Sequence, residues 1–180
     1  WNGMHPYNAV HIVRISRSFN QTRLENSINS YLESNGLTGL KIDRKKKRYH
    51  YYGGPANIRV EIINIQDGLI QTLSREVRKQ LNLPFKVTDE IAPFRFFAII
   101  EKDSFYLGFV YFHLVAGADS IIFLMKNIAN NYMGKQTANS GAMDLYPKTY
   151  RKLLPFSLTC ITGWLLTLGS QISSVRSSYR

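Results

Sequence analysis

Residues 105–132 change hydrophobic period once, and a histidine stands at the change. Phe105, Leu107, Phe109, Tyr111 and His113 occupy alternate positions, the spacing that sets side chains on one face of a strand. Downstream, Ile121, Met125, Ile128 and Tyr132 recur at helical spacing, and Gly134 supplies a stop. The run predicts a strand, a tight turn opening at His113, and a buried helix. A chain built around it must pair a sheet with helices. The turn also carries an imidazole off a rigid strand, which is where a catalytic histidine on a strand-to-helix turn belongs.

The rest of the chain supplies partners for that unit. Val10 to Ser16 reads as a first strand. Asn20 or Thr22 can cap a helix carrying Leu24, Ile28, Tyr31 and Leu32 on one face, ended by Gly36. Leu40-Lys41-Ile42 and Tyr49 to Tyr52 flank the basic run Arg44 to Arg48 and predict a hairpin with a charged tip. Arg59 to Ile65 reads as a strand with Val60 and Ile62 alternating. Asp67 is placed to cap a helix with Ile70, Leu73, Val77 and Leu81 on its buried stripe, and Pro84 lies beyond its end. Pro93 precedes a strand through Ile100, which the Asp103-Ser104 turn joins to the strand bearing His113. The fold class expected is α/β, of the two-layer α+β kind, with a mixed sheet and helices. No internal repeat is visible.

At 180 residues with 44% apolar side chains the chain has room for one domain with a real core. The single cysteine, Cys160, rules out an internal disulfide and any multi-cysteine zinc site. It is compatible with a reducing compartment, and we expect a cytoplasmic location, with peripheral attachment to a membrane as the variant. The chain starts at Trp1 with no basic-then-apolar leader before the first strand, and we read it as part of something larger. The net charge of +11 is unevenly placed. Lys41 to Tyr52 hold six cationic side chains against one aspartate, and Lys148 to Arg180 hold five with no acid. These are two basic patches on a nearly neutral body. Nucleic acid, anionic lipid and an acidic carrier protein are the partner classes that fit.

Lys135 to Tyr146 is rich in Gly, Asn and Ser and reads as a linker. From Leu153 to Val175 there is no charge, but seven Ser or Thr residues are scattered through the segment. Leu154, Leu158, Ile161, Leu165, Leu168, Ile172 and Val175 recur at spacings of four and three, an amphipathic stripe with basic flanks. A spanning helix needs about 20 predominantly apolar residues, so a helix packed on protein ranks first, a membrane-surface helix second and a span last.

The order strand, helix, strands, helix, hairpin, histidine turn, helix resembles the N-terminal lobe of the condensation-domain superfamily. These are the chloramphenicol-acetyltransferase-like acyltransferases of non-ribosomal peptide and natural-product biosynthesis. The resemblance runs from about Pro6 to Met133. Its most specific part passes from Leu83-Pro84-Phe85 through Pro93-Phe94-Arg95 to the histidine block. In that family a His-His-x-x-x-Asp-Gly motif is followed two residues later by Ser. Here Ser120 and Leu124 anchor an ungapped match, so Phe112-His113-Leu114-Val115-Ala116-Gly117-Ala118 occupies the motif and the catalytic histidine falls on His113. Phe112, Gly117 and Ala118 depart from it. The family's aspartate pairs with an arginine in an earlier Leu-Arg motif, and this chain has Leu40-Lys41 at about that place. Losing acid and arginine together leaves no buried charge unpaired.

The resemblance implies one lobe of the CoA-dependent acyltransferase-like fold over residues 1–134, a linker over 135–147, and a basic amphipathic helix over 148–180 leading toward a second lobe. It implies His113 as general base on an amine or hydroxyl attacking a thioester carbonyl, a role that suits an imidazole titrating near neutrality. Asp119, Ser120 and Lys41 are the supporting candidates. No bound cofactor is implied. The substrate would be an acyl group on phosphopantetheine or CoA, and the partners an acyl or peptidyl carrier protein and a second acyltransferase-like lobe. Half a tunnel should show little or no transfer by itself.

Plainer readings stand beside these. His113 can be a strand-end histidine with a satisfied hydrogen bond in an aromatic core. An Asp-Ser pair before a helical stripe is more often an N-cap than a catalytic partner. The alternative for the whole chain is a non-catalytic module docking a carrier protein or an anionic membrane. Tyr49-His50-Tyr51-Tyr52 beside the basic run resembles a nucleic-acid surface, yet no recognition motif accompanies it, and nucleic acid ranks last. His5, His11 and His50 have no metal-ligand spacing with His113 and are taken as ordinary.

Overall fold

The computed structural model describes residues 8–43, 48–85, 90–135 and Leu145. The chain divides into two units, Trp1–Pro147 and Lys148–Arg180, and all described residues belong to the first. The amphipathic segment from Leu153 to Val175 and the tip of the basic hairpin lie outside them.

The described elements are β1 (Asn8–Ile15), α1 (Gln21–Ser34), β2 (Leu40–Asp43), β3 (Arg48–Tyr51), β4 (Val60–Ile63), α2 (Leu69–Asn82), β5 (Glu90–Ile91), β6 (Phe94–Ile100), β7 (Phe105–Phe112), a short 3-10 turn (His113–Val115) and α3 (Ala118–Tyr132). The main sheet runs β1-β7-β6-β4. Only β4 is parallel to its neighbour, so the sheet is mixed. A second sheet has the order β3-β2-β5. This is the α+β architecture with a mixed sheet that the sequence predicts.

Alternation along the central strands builds two cores. One face of β6 and β7 sends Phe94, Phe96, Ala98, Phe105, Leu107, Phe109 and Tyr111 against α1 and α3, whose Leu24, Ile28, Leu32, Ile121, Leu124 and Ile128 are buried there. The other face sends Phe97, Ile99 and Val110 toward Leu69 and Leu73 of α2. Helices therefore cover both faces. Phe109 is fully buried, stacked on Phe96 at 4.5 Å and edge-on to Phe94 at 5.4 Å, geometry that adds to the burial itself. Gly108 is opposite Phe97, and a β-carbon at Gly108 would lie 2.1 Å from the Phe97 ring. The strand needs glycine there to let the ring lie flat across it.

α1 follows its prediction. Asn20 is the N-cap, its Oδ1 accepting from the Arg23 N–H at 2.8 Å. The face of α1 next to its apolar stripe carries a polar ladder at intervals of four. Glu25 accepts from the Val60 N–H at 3.0 Å and from Arg59 at 2.8 Å. Asn29 exchanges two hydrogen bonds with the Ile58 backbone, and Glu33 accepts from the Ala56 N–H at 2.7 Å. Residues 56–59 are thus pinned along the helix before sheet pairing begins at Val60. Burial alone would raise the Glu25 carboxyl, but hydrogen bonds from Gln21, Val60 and Arg59 outweigh it and hold it below its ordinary value.

α2 departs from its prediction in two ways. Its N-cap is Gly68, at φ 97°, not Asp67, because that backbone conformation excludes a side chain with a β-carbon at little cost. Asp67 instead pairs with Arg75 at 2.8 Å. The expected buried stripe is only half realised: Leu73 and Val77 are half-buried, whereas Ile70 is 73% exposed and Leu81 37%. Thr72, Glu76 and Gln80 are the buried residues. Glu76 accepts from the Gln80 amide at 2.8 Å and pairs with Lys79, which also reaches Glu61 on β4. At the C-terminal end, Asn8 and Arg95 donate to the Gln80 and Leu83 carbonyls. This polar seam fixes the rotation of the helix.

Candidate active site

The site begins at the end of β7. The Phe112 N–H donates to the Pro93 carbonyl at 3.1 Å, tying the strand end to the start of β6. The chain then enters a single 3-10 turn whose Val115 and Ala116 are buried, while His113 is exposed. The period-two pattern that buries Phe109 and Tyr111 places His113 on the same face, one step past the core.

The His113 Nδ1 lies 3.1 Å from the Ala116 carbonyl oxygen. A carbonyl can only accept, so Nδ1 carries a hydrogen, and in the neutral ring the lone pair is on Nε2. The ring stands edge-on to Tyr111 at 5.7 Å. An imidazole fixed in this tautomer can take a proton at Nε2 and return it.

The turn is fastened by backbone. Gly117, where the resembled motif has its aspartate, donates its N–H to the Leu145 carbonyl at 3.0 Å. Gly117 is also the N-cap of α3, with no side-chain capping bond, and its carbonyl accepts from the Ile121 N–H at 3.2 Å. The expected Asp119-Ser120 cap is therefore corrected. The chain is already helical at Ala118, which leaves Asp119 exposed in the first turn, where a carboxylate favours the helix dipole. Ser120 is fully buried and its hydroxyl has no hydrogen-bond partner among the described residues.

Lys41 lies on β2, in the other sheet, with its ammonium 4.4 Å from the centre of the Tyr52 ring. None of the described contacts joins it to the His113 turn. The Leu83-Pro84-Phe85 and Pro93-Phe94-Arg95 segments do meet. The Arg95 guanidinium stacks 4.0 Å over Phe85 and donates to the Leu83 carbonyl at 2.9 Å. That part of the resemblance is scaffold.

Sequence reasoning passed over His11. It sits on β1 beside Tyr111, with Nε2 3.3 Å from the phenol oxygen and the two rings stacked at 5.6 Å. Burial first, and His113 second, hold its pKa below the ordinary value. The only advance signal was that alternation puts His11 on one strand face with Ala9 and Val13. Among the described residues no group of three His, Cys, Asp or Glu side chains is placed to hold a metal ion. No helix among them is long and apolar enough to cross a membrane.

No protein-family model matches the chain, and no curated protein matches it. Solved structures do. The first condensation domain of the CDA synthetase superposes with a TM-score of 0.62 at 12% identity, covering 78% of this chain and 37% of that one. The starter condensation domain of rhizomide synthetase RzmA gives 0.60 at 16%, covering 74% and 34%. The condensation domain of the Monacolin K polyketide synthase MokA gives 0.57 at 14%, covering 74% and 31%. The fold is that of a condensation-domain lobe, and the chain spans about a third of the length of those structures.

Proposed function

We propose that this chain is the histidine-bearing lobe of a condensation-like acyltransferase, with His113 as general base. One observation carries the reading: the Ala116 carbonyl takes the Nδ1 hydrogen and leaves Nε2 as the basic nitrogen at an exposed strand end. Nε2 removes the proton from an amine or hydroxyl as that group attacks a thioester carbonyl. The tetrahedral adduct then collapses, the C–S bond breaks, and the imidazolium returns the proton to the departing thiolate. The new bond is an amide or an ester according to the nucleophile. Phosphopantetheine- or CoA-linked acyl groups are the donors this chemistry calls for. A carrier protein and a second lobe are the partners that the partial coverage of the condensation domains supports.

The test is acyl transfer by the full-length protein carrying His113→Gln. General-base loss costs about 10²–10⁴-fold in kcat, with the fold unchanged by circular dichroism. Wild-type transfer rates in a folded His113→Gln protein would sink the proposal and favour a docking module with a degenerate motif.

A further inference from the structure

β1 is an edge strand with few of the usual guards. It pairs with β7 through all eight of its residues and ends the main sheet on its other side. In an antiparallel ladder alternate residues turn their N–H and C=O away from the partner strand. Among the described residues, no backbone bond other than those to β7 involves Asn8 to Arg14. Natural edges are blunted by proline, lysine or a bulge. β1 reads Asn-Ala-Val-His-Ile-Val-Arg-Ile in an unbroken register, with Arg14 as its cation. His11 adds no charge at neutral pH, because burial first and His113 second hold it below its ordinary value.

α3 extends this edge into a groove. Ile122, Lys126 and Met133 recur at spacings of four and seven on one side of the helix. With Met125 they line a groove of about 500 Å³ whose other wall is residues 11–16. Ile12 is 37% exposed and Ile122 48%. Val13 packs with the α3-side core and Val10 with the α2-side core, so the strand offers apolar surface on both faces of the sheet.

Charge selects the occupant. Arg14 and Lys126 line the groove, and among the described residues no carboxylate does. Arg14 is engaged by Glu101 at 3.5 Å and Ser104 at 3.0 Å. Lys126 is exposed and has no acidic partner among the described residues. A second copy would bring the same cations to the far side of the new ladder, on a chain already at +11, and the copies would repel. A strand bearing carboxylates is drawn in by the same field.

We infer that the outer edge of β1 is a docking site for an extended acidic segment of a partner protein, which joins the four-stranded sheet as a further strand. Backbone bonds to β1 supply the affinity. One alternate set of its side chains enters the groove beside α3, and its carboxylates meet Lys126 and Arg14. The inference is independent of the chemistry at His113.

The experiment titrates the isotope-labelled 180-residue chain with two synthetic peptides of β1's length, both alternating Val and Thr. One carries Glu at each end, the other Lys. Binding is read from amide chemical shifts, and pairing from amide hydrogen exchange. The acidic peptide is expected to bind, more weakly as salt rises, and to slow exchange at outward-facing amides between Asn8 and Arg14. The basic peptide should bind about tenfold more weakly. Lys126→Glu, at an exposed position, should erase that preference, and Ile122→Glu should weaken the acidic peptide.

Equal affinity for the two peptides overturns the inference, and so does an acidic peptide that moves no amide at millimolar concentration. Binding that leaves exchange in β1 unchanged puts the ligand in the groove without a strand and overturns it as well. A dimer in sedimentation that protects β1 amides without peptide assigns the edge to a second copy instead. The comparison of peptides on wild type decides even where the α3 variants fail to fold.

Discussion

α3 and α2 are 15 and 14 residues long and pack on opposite faces of one sheet, yet they are held by different physics. α3 buries the stripe its sequence advertises, with Ile121, Met125, Ile128 and Tyr132 against the aromatic face of β7. Tyr132 adds a hydrogen bond from its hydroxyl to the Ser18 carbonyl at 2.6 Å. α2 packs Leu69 and Leu73 only partly buried against Phe97 and Ile99, leaves Ile70 and Leu81 exposed, and adds a polar seam of Glu76, Gln80, Lys79 and Glu61. The site grows from the first kind of contact. Non-directional packing tolerates no gap, so it holds the end of β7 and the start of α3 to one geometry. A seam of directional bonds can fix the rotation of a helix whose hydrophobic stripe is only partly buried.

Substitutions that separate the two regimes follow in descending order of effect. Phe109→Ala removes the ring at the centre of the α3 face and should cost about 4 kcal/mol in urea unfolding. A loss near 1 kcal/mol would mean that this face is not the stronger one. Gly108→Ala drives a methyl group into the Phe97 ring on the α2 face and should cost about 2 kcal/mol. Adding Phe97→Leu should recover part of that loss, and strict additivity would count against the clash.

Glu25→Gln should cost about 1.5 kcal/mol at neutral pH, because it weakens charge-assisted bonds to Arg59 and the Val60 N–H. The folded carboxyl lies below its ordinary value. Its contribution is therefore complete above the ordinary glutamate range and fades as pH falls through the folded value. The variant's stability profile should be flatter than wild type over that acidic window, and parallel profiles would refute the assignment. Glu76→Ala strips the seam of its central acceptor and should cost about 1 kcal/mol. The smallest effect belongs to Ile70→Ser, within about 0.5 kcal/mol of wild type. A loss of 2 kcal/mol there would restore the sequence-based stripe and erase the contrast.

Periodicity made α1, α3, the β6–β7 hairpin and the His113 turn legible, because in each the burying partner is the sheet face next along the chain. The rotation of α2 was not legible. It depends on Asn8, Glu61 and Arg95, which reach the helix from three separate strands or their ends, and no local pattern encodes those meetings. Both misplaced caps have one cause. Asp67 and Asp119 are good capping residues by type, but Gly68 and Gly117 take the cap position, one residue after the first and two before the second. His113 was found because its neighbours resemble a motif. His11 was missed because strand register, a non-local quantity, sets it beside Tyr111.

The polar ladder on α1 has a consequence for engineering. Glu33 holds Ala56, while Asn35 and Gly36 close the same helix with bonds to the Tyr31 and Glu33 carbonyls. Between those two points, both clamped to one helix, runs the β2–β3 hairpin, with β2 also pairing with β5 and Leu40 buried in the core. Extra length in that hairpin adds closure entropy that grows only with the logarithm of loop size. A reporter peptide or an affinity handle grafted between β2 and β3 should leave α1, β7 and the histidine turn as they are, and would give the chain a point of attachment remote in sequence from His113.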